Sequence, residues 1–336
     1  MKFKVRKNLL KVVLYVLCIF FLVLGIVLLL NAWEQRHYSY TPESSGDGET
    51  TQSTQTVTPD LEYNGTGYKL NKNIETVLLV GVDKYLASTD SETYINSEQA
   101  DFIMLVVIDT KNESYKVLHI NRDTMTDVQV LGVTGVVAFT RVEQIALAHT
   151  YGSGQEDSAE NTVDAVSQLL YDVDIDHYIT VTMDAVAIIN DAVGGVTVTA
   201  LDTINDDIVE GEEVTLLGEN ALAYVRTRYG LDDSSNLHRM ERQEQYLKAL
   251  MEKFKEACES DSDFALDTAL EITSYMVSDC TVNELSDIYS AMSDYELSDY
   301  LTLEGEATVG DTYMEFYVDE DALYELYLDL FYTVIE

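Results

Sequence analysis

The most restrictive feature of this sequence is an uncharged apolar run near its start, from Val12 to Leu30. As a helix, its 19 residues are long enough to cross the roughly 30 Å hydrocarbon core of a bilayer. Five basic residues precede the run and none follows it before Arg36, which places the N-terminus in the cytoplasm. Trp33 suits the far interface. We predict a cytoplasmic basic tip, residues 1–11, and a single transmembrane helix, residues 12–33, with the rest of the chain outside the cell.

A cleaved signal peptide is the competing interpretation of this run. The run is longer than a usual signal-peptide core, and no cleavage motif of two small residues follows it closely. We therefore favour an uncleaved membrane anchor. The following stretch, residues 34–72, is largely polar and in part rich in Ser and Thr, which predicts a flexible linker to a folded domain.

The charge of the chain is divided unevenly by the membrane segment. The whole sequence has 60 acidic and 20 basic side chains, a formal net charge of −40. Beyond Arg36 there are 59 acidic and 14 basic residues, so the predicted exterior carries −45. This balance excludes a general nucleic-acid binder, because phosphate backbones are held by an excess of Lys and Arg. Because 46% of the residues are hydrophobic, the chain must nevertheless contain a folded body.

Strand-like and helix-like patterns alternate in the folded body. Strand-like runs lie at Glu75–Asp83, Asp101–Asp109 and Ser114–Asp123, with shorter ones at His177–Thr182 and Gly195–Thr199. Helical patterns lie at Val142–Ala148, Ala159–Tyr171 and Met183–Ala192. The alternation predicts an α/β domain over residues 73–255, with a mixed central β-sheet flanked by helices.

The part of the chain after Lys255 contains no Lys or Arg and has 22 acidic residues. Its end is nevertheless amphipathic and rich in aromatic residues. We therefore predict that residues 256–336 form a folded acidic α/β extension rather than a solvated tail.

The second and third strands of the domain are predicted to form a hairpin. If Ile108 faces Tyr115, antiparallel pairing places Asp101 opposite Arg122, within one residue. An acid and an arginine would then share one end of the sheet.

Arginine is scarce beyond the membrane segment and concentrated where it occurs. The six arginines after Arg36 are Arg122, Arg141, Arg226, Arg228, Arg239 and Arg242, and all but Arg141 lie in two short clusters. Surface ion pairs contribute only about 0–1 kcal/mol and do not require arginine, so they explain the clusters poorly. Guanidinium groups bind phosphate oxygens bidentately. Carboxylates such as Asp83 and Asp101 would be unfavourable beside phosphate unless Mg²⁺ lay between them.

The second cluster continues into a long helix that Asn236 is predicted to cap. One helical stripe is apolar and runs from Met240 to Phe254. A neighbouring stripe contains Arg239, Arg242, Gln243 and Tyr246. We predict that the apolar stripe faces the core and that the polar stripe faces an anion.

The order and spacing of several motifs resemble the LytR-CpsA-Psr family of cell-envelope proteins. The motifs are GVD at Asp83, AD at Asp101, NRDT at Arg122, AHTYGSG at His149, LGENALAYVRTR and RMERQ. The similarity covers roughly Ile74 to Lys255. Each motif is weak by itself, and the match rests on their number and order.

The resemblance implies a phosphotransferase that moves an anionic glycopolymer, such as a teichoic acid or capsule polymer, from an undecaprenyl-diphosphate carrier to peptidoglycan. It implies Mg²⁺ as cofactor, with Mn²⁺ as a substitute, and contact with membrane lipid. Two other functions fit the same residues: hydrolysis of a polyprenyl-diphosphate sugar, and a non-catalytic envelope sensor or regulator.

The resemblance also implies roles for individual residues. Asp83 and Asp101 match the metal-site aspartates. The residues that match the diphosphate-binding set are Arg122, Arg226, Arg228, Arg239 and Arg242, with Gln243 beside the last. Asp123 orients Arg122 or acts as a base, and we favour the orienting role. Another family aspartate has three possible counterparts, Asp232, Asp233 and Asn236, of which we take Asp233 as the catalytic candidate.

His149 is interpreted as structural rather than catalytic. Cys258 and Cys280 are both predicted to lie outside the cell, where they would form a disulfide or remain free thiols.

Overall fold

Residues 58–83, 98–132, 134–227, 236–261, 264–310 and 313–335 are described by the computed structural model. The predicted tip, membrane helix and most of the linker lie outside these residues. Within the described ranges, no helix combines the length and apolarity needed to cross a bilayer.

The described residues form fifteen strands, seven α-helices and two 3₁₀ helices. The strands are β1 Leu61–Tyr63, β2 Thr66–Leu70, β3 Ile74–Val82, β4 Ala100–Asp109, β5 Ser114–Ile120, β6 Met125–Leu131, β7 Val137–Gln144, β8 His177–Thr182, β9 Val196–Thr199, β10 Glu213–Leu216, β11 Met276–Ser278, β12 Glu296–Thr302, β13 Gly305–Val309, β14 Met314–Val318 and β15 Tyr332–Ile335. The α-helices are α1 Glu156–Leu169, α2 Asp184–Ala192, α3 Glu219–Arg226, α4 Asn236–Ser260, α5 Phe264–Ile272, α6 Val282–Asp294 and α7 Glu320–Phe331. The 3₁₀ helices are Ile145–Tyr151 and Thr273–Tyr275.

Six strands form a mixed central sheet in the order β11-β8-β3-β4-β5-β12. Strands β3, β4 and β5 pair antiparallel, whereas β8 is parallel to β3 and β12 is parallel to β5. Both edge strands come from residues after Lys255, so the acidic C-terminal part completes the same sheet. The predicted mixed α/β fold is confirmed.

Both faces of the central sheet are covered, which explains why its middle strands β3 and β4 are apolar at most positions. Leu78 and Val80 of β3 face α1, the first 3₁₀ helix and α7. Val77, on the opposite face, belongs to a second apolar cluster that includes Ile288 of α6. The alternation of these neighbouring residues between two cores follows from the two-residue period of a strand.

A third apolar cluster joins α3 and α4 to the small β9–β10 sheet. Its buried members include Val196, Leu216, Tyr224 and Tyr246. This packing brings the end of α3 close to the beginning of α4, and therefore brings the two parts of the second arginine cluster together.

The hairpin register is confirmed, because Ile108 pairs with Tyr115. The helix predicted at Val142–Ala148 is wrong in its first half. Residues up to Gln144 belong to β7, which pairs with β6 from Met125 onward, and a 3₁₀ helix follows. Pairing within this hairpin outweighs the helical spacing of the apolar residues.

Candidate functional site

The two predicted metal-site aspartates lie at the same end of adjacent strands. Asp83 directly follows β3, and its backbone N–H donates to the carbonyl of Gln99 at 3.2 Å. Along β4, Gly81 pairs with Phe102 and Val82 pairs with Ala100, so Asp101 is the extra residue of a β-bulge. Bulges often redirect a side chain next to a functional site. Here the bulge lies beside Asp83.

Arg122 lies just beyond β5 and contacts Asp101, as the hairpin register predicts. Its Nη1 pairs with Asp101 Oδ1, and its Nη2 donates to Gln99 Oε1. Its Nε lies 3.5 Å from Asp123 Oδ1. Sequence reasoning missed Gln99, although its position two residues before Asp101 was a usable signal, since alternate strand residues share a face.

Two further arginines reach the same carboxylates from α3 and α4. Arg226, the last residue of α3, pairs through Nη2 with Asp83 Oδ2. Arg239, in the first turn of α4, has Nη1 at 3.7 Å from Asp101 Oδ1 and donates from Nη2 to the Asp101 carbonyl at 3.3 Å. We call Asp83, Asp101, Arg122, Arg226 and Arg239 the arginine–carboxylate cluster.

The arginines of the cluster differ in their access to solvent. The side chain of Arg226 is 44% exposed, that of Arg122 is 10% exposed and that of Arg239 is 4% exposed. Arg226 can therefore meet a ligand first, whereas Arg239 lies at the base of the cluster.

Arg242 and Gln243 are buried on α4 and make contacts within the protein. Arg242 is completely buried, and each of its guanidinium nitrogens has a protein partner. Nε donates to the Tyr224 carbonyl at 2.8 Å, and the other two contact the Asp202 carboxylate and the Thr227 carbonyl. We call these four residues the Arg242 node. Gln243 Nε2 donates to the carbonyl of Val225 at 3.1 Å, so diphosphate binding by Arg242 and Gln243 stays a prediction.

The apolar stripe of α4 packs against the core as predicted, through Met240, Leu247 and Leu250, but the polar stripe is buried as well. Arg239, Arg242, Gln243 and Tyr246 are all buried. The residues of the apolar stripe beyond Met240 are only partly buried. The physical reason is that α3 ends against α4 and offers carbonyl acceptors to the polar stripe.

Asp123 is buried in a position that suits the predicted orienting role. Its Oδ1 accepts from Gln144 Nε2 at 2.9 Å and lies beside Arg122 Nε. The Asn121 side chain accepts from the Asp123 backbone N–H at 3.0 Å and from Asn236 Nδ2 at 2.8 Å. This second bond joins the end of β5 to the start of α4.

Arg228, Asp232 and Asp233, which belong to the predicted site, lie outside the described residues.

Two buried histidines flank the cluster and were not assigned to it by the sequence. Burial and the charge of Arg239 lower the pKa of His119 to about 3, and its Nδ1 is 2.9 Å from the Tyr300 hydroxyl. Burial lowers the pKa of His149 to about 4, and its Nδ1 is 3.0 Å from the Glu98 carbonyl oxygen. Both are therefore neutral near pH 7. The contact of His149 fits a structural role.

An apolar cavity of about 270 Å³ adjoins the cluster. Its walls come from β3, β4, β8 and the helices α2, α3 and α4. The residues that line it are Leu79, Val80, Gly81, Phe102, Ile179, Val181, Met183, Val186, Ile189, Val225, Gln243, Tyr246, Leu247 and Leu250.

Four elements contribute both to the cavity and to the cluster. Each of the four has a cavity residue within four positions of a charged residue of the cluster. The pairs are Gly81 and Asp83 after β3, Phe102 and Asp101 on β4, Val225 and Arg226 on α3, and Gln243 and Arg239 on α4. An apolar compartment and a cationic one thus form adjoining parts of one site.

Cys258 and Cys280 are both free thiols, so the disulfide is absent between these two described residues.

Comparison with known proteins gives consistent matches. The profile described as the LytR_cpsA_psr family matches residues 37–330. The polyisoprenyl-teichoic acid–peptidoglycan teichoic acid transferase TagU of Halalkalibacterium halodurans is 31% identical over 171 residues, which cover 50% of this chain and 51% of that protein. The protein of the same name from Bacillus cereus is 29% identical over 220 residues, 64% of this chain and 65% of that protein. The chain thus spans about half to just under two thirds of these relatives.

The fold is also that of solved structures. The crystal structure of B. subtilis TagV has a TM-score of 0.59 at 24% identity, covering 77% of this chain and 96% of that one. At this identity the likeness establishes the fold.

Proposed function

Because the chain belongs to the LytR-CpsA-Psr family, we propose that it transfers an anionic glycopolymer from a polyprenyl-diphosphate carrier to peptidoglycan. The relatives from H. halodurans and B. cereus carry names that describe such a transfer of teichoic acid. The predicted helix at residues 12–33 would hold the enzyme at the outer surface of the membrane, where such a lipid carrier lies.

The observation that carries this proposal is that residues lining the apolar cavity lie within four positions of the arginine–carboxylate cluster along β3, β4, α3 and α4. A polyprenyl diphosphate has a long hydrocarbon tail joined directly to a dianionic head. The tail is stabilised by the release of water from apolar surface, and the head by charge-assisted hydrogen bonds to arginine. Since Val225 lines the cavity and Arg226 belongs to the cluster, the site offers both environments one residue apart.

The donor atoms of Asp83 and Asp101 fit Mg²⁺, which prefers carboxylate oxygens together with phosphate and water. Mn²⁺ accepts the same oxygen donors. These two carboxylates would hold the ion, which would supply positive charge next to the diphosphate. Both now pair with arginines, so binding of a metal ion to the carboxylates would leave guanidinium groups available for phosphate oxygens.

The arginines would act by binding and orienting the diphosphate. Arg226, Arg122 and Arg239 would donate to its oxygens, while Asp123 keeps Arg122 in position. A sugar hydroxyl of the acceptor would attack the phosphorus that carries the polymer. The new O–P bond forms, the bridging P–O bond breaks, polyprenyl phosphate leaves and the hydroxyl proton is released. Positioning and charge stabilisation suffice for this chemistry.

The direct test uses the purified full-length chain in detergent, with a polyprenyl-diphosphate-linked polymer, peptidoglycan fragments and Mg²⁺. We expect polymer attached to peptidoglycan, with release of polyprenyl phosphate, and loss of turnover when the metal is chelated. Release of free polymer phosphate whether or not acceptor is present would instead show a hydrolase, and binding without turnover would show a sensor.

A matched pair of variants tests the assignment of the site. Arg122→Ala should lower kcat/KM roughly 10²–10³-fold, because it removes a preorganised donor to developing negative charge. Arg141→Ala is the control, since Arg141 lies outside both clusters and pairs with Glu143 at the surface. If the two variants have equal kcat/KM, the assignment of Arg122 to the site is wrong.

A further inference from the structure

A second group of metal-ligating side chains lies at the other end of the central sheet. His177 begins β8, and Asp279 and Cys280 directly follow β11. One ligand atom from each of the three lies within 4.8 Å of the others. The group combines nitrogen, oxygen and sulfur donors.

Strand register explains why these residues meet. Strand β11 pairs antiparallel with β8, and Ser278 is opposite Ile179. Continuing this register by two residues places Cys280 opposite His177. Strand β3 runs parallel to β8 with Val77 opposite His177, and Glu75 lies two residues earlier on the same face. Three adjacent strands therefore deliver the side chains to one corner.

The distances within the group approach those of a zinc site. His177 Nδ1 is 3.7 Å from Asp279 Oδ2, and Cys280 Sγ is 3.7 Å from Asp279 Oδ1. Tetrahedral ligands at zinc–ligand distances of 2.0–2.3 Å are about 3.3–3.7 Å apart. Local hydrogen bonds already hold the loop: the Tyr178 N–H donates to Asp279 Oδ1 at 2.9 Å and the Cys280 N–H to Ser278 Oγ at 3.0 Å.

The two nitrogens of His177 face different partners. Nδ1 faces the group, where it is buried without a hydrogen-bond partner among the described residues. Nε2 faces Glu75, with Oε1 at 3.9 Å. A metal-bound histidine commonly donates its other N–H to a carboxylate, which fixes the ring and strengthens the ligand. Glu75 is placed for that role.

We propose that His177, Asp279 and Cys280 bind a zinc ion, with Glu75 supporting His177 and water as the fourth ligand. Zinc accepts this mixed set of donors, whereas Mg²⁺ and Ca²⁺ take oxygen ligands.

The zinc ion would be separate from the ion proposed at Asp83. Glu75 and Asp83 are eight residues apart along β3, roughly 26 Å at the rise of a strand. The zinc would join the start of β8 to the connection between β11 and α6. It would therefore fasten the acidic C-terminal part to the catalytic sheet.

The test is metal binding by the purified full-length chain after removal of bound metal, with excess Mg²⁺ present to occupy oxygen-only sites. We expect one zinc ion per chain, and with Co²⁺ a thiolate-to-metal absorption band in the near ultraviolet. Cys280→Ser and His177→Gln should abolish the band, whereas Cys258→Ser should retain it as the matched cysteine control. Glu75→Gln should weaken the affinity for zinc roughly 10–100-fold.

Circular dichroism of each metal-free variant establishes that it is folded. If His177→Gln does not fold, Cys280→Ser alone decides the question, because it changes a single ligand atom. The proposal is overturned if no thiolate band forms, or if Cys280→Ser binds zinc as tightly as the unchanged protein.

Discussion

The arginine–carboxylate cluster and the Arg242 node contain the same ion pair, arginine with aspartate, in different environments. Arg226 in the cluster is nearly half exposed and pairs with one carboxylate of the proposed metal site. Arg242 in the node is completely buried and also donates to two backbone carbonyls. An arginine that is only partly satisfied by its own protein remains available to a ligand, whereas a fully satisfied arginine stabilises the fold. Along α4, Arg239 of the cluster and Arg242 of the node are only three positions apart.

The largest expected effect is a loss of stability when the Arg242 node is disrupted. Arg242→Ala would leave the Asp202 carboxylate without its buried partner and remove donors from the carbonyls of Tyr224 and Thr227. We expect the free energy of unfolding to fall by about 3–5 kcal/mol, measured by denaturant titration. In the control, Arg141→Ala should change it by no more than about 0.5 kcal/mol. A stable Arg242→Ala protein with greatly reduced turnover would instead place Arg242 among the ligand-binding arginines.

At the exposed Arg226 of the cluster we expect a loss of activity with little change in stability. Arg226→Ala should lower kcat/KM about 10²-fold, because a donor to the diphosphate is lost, while the unfolding transition stays nearly unchanged. Arg226→Lys should recover only part of the loss, since lysine cannot bind phosphate through a planar fork. Steady-state kinetics of each preparation measures the loss of activity, and thermal melting of the same preparation measures its stability. A melting shift as large as that of Arg242→Ala would remove the distinction between the two regions.

The structural features that could be predicted from the sequence depend on local patterns. The alternating residues around Ile108 and Tyr115 define the hairpin, and the hairpin places Asp101 beside Arg122. The long helix α4 follows from the helical spacing of its apolar residues between Met240 and Phe254.

The parts that were not predictable depend on long-range packing. The burial of Arg242 requires α3 to end against α4, which no local pattern specifies. The bulge at Asp101 shifts the pairing of β3 with β4 by one residue, and the apolar sequence of β4 gives no sign of it. The cavity is formed by side chains from six elements, so residues such as Phe102 and Leu250 looked like ordinary core.

Mild acid should lower the free energy of unfolding through His119, which lies beside Arg239, at pH values where the arginines stay charged. His119 faces Arg239, Gln243 and Tyr300, and its pKa of about 3 lies below the ordinary value of 6.5. The unfolded chain therefore binds a proton that the folded chain excludes between these two values. Stability is complete above pH 6.5 and falls as the pH is lowered towards 3, by roughly 1 kcal/mol per pH unit from this residue.

Unfolding titrations between pH 7 and pH 5 measure this slope. His119→Asn should reduce it, because asparagine does not titrate. His149 provides the comparison, as its pKa of about 4 predicts a separate contribution that the His119 variant retains. Identical slopes before and after the His119 substitution would show that the residue is not buried in its neutral form.

The smallest effect tests whether the apolar cavity serves the same ligand as the arginines. A Cβ atom at Gly81 would lie 3.0 Å from Phe102 Cβ and 3.2 Å from Met183 Cε, so Gly81→Ala would narrow the cavity. One methylene of displaced tail corresponds to about 0.8 kcal/mol, or roughly a fourfold rise in KM for a long-tailed substrate. A substrate with a short prenyl tail, which does not fill the cavity, should keep its KM. If KM rises equally for both substrates, the substitution disturbs the diphosphate end through Asp83, and the cavity has no separate part in recognising the tail.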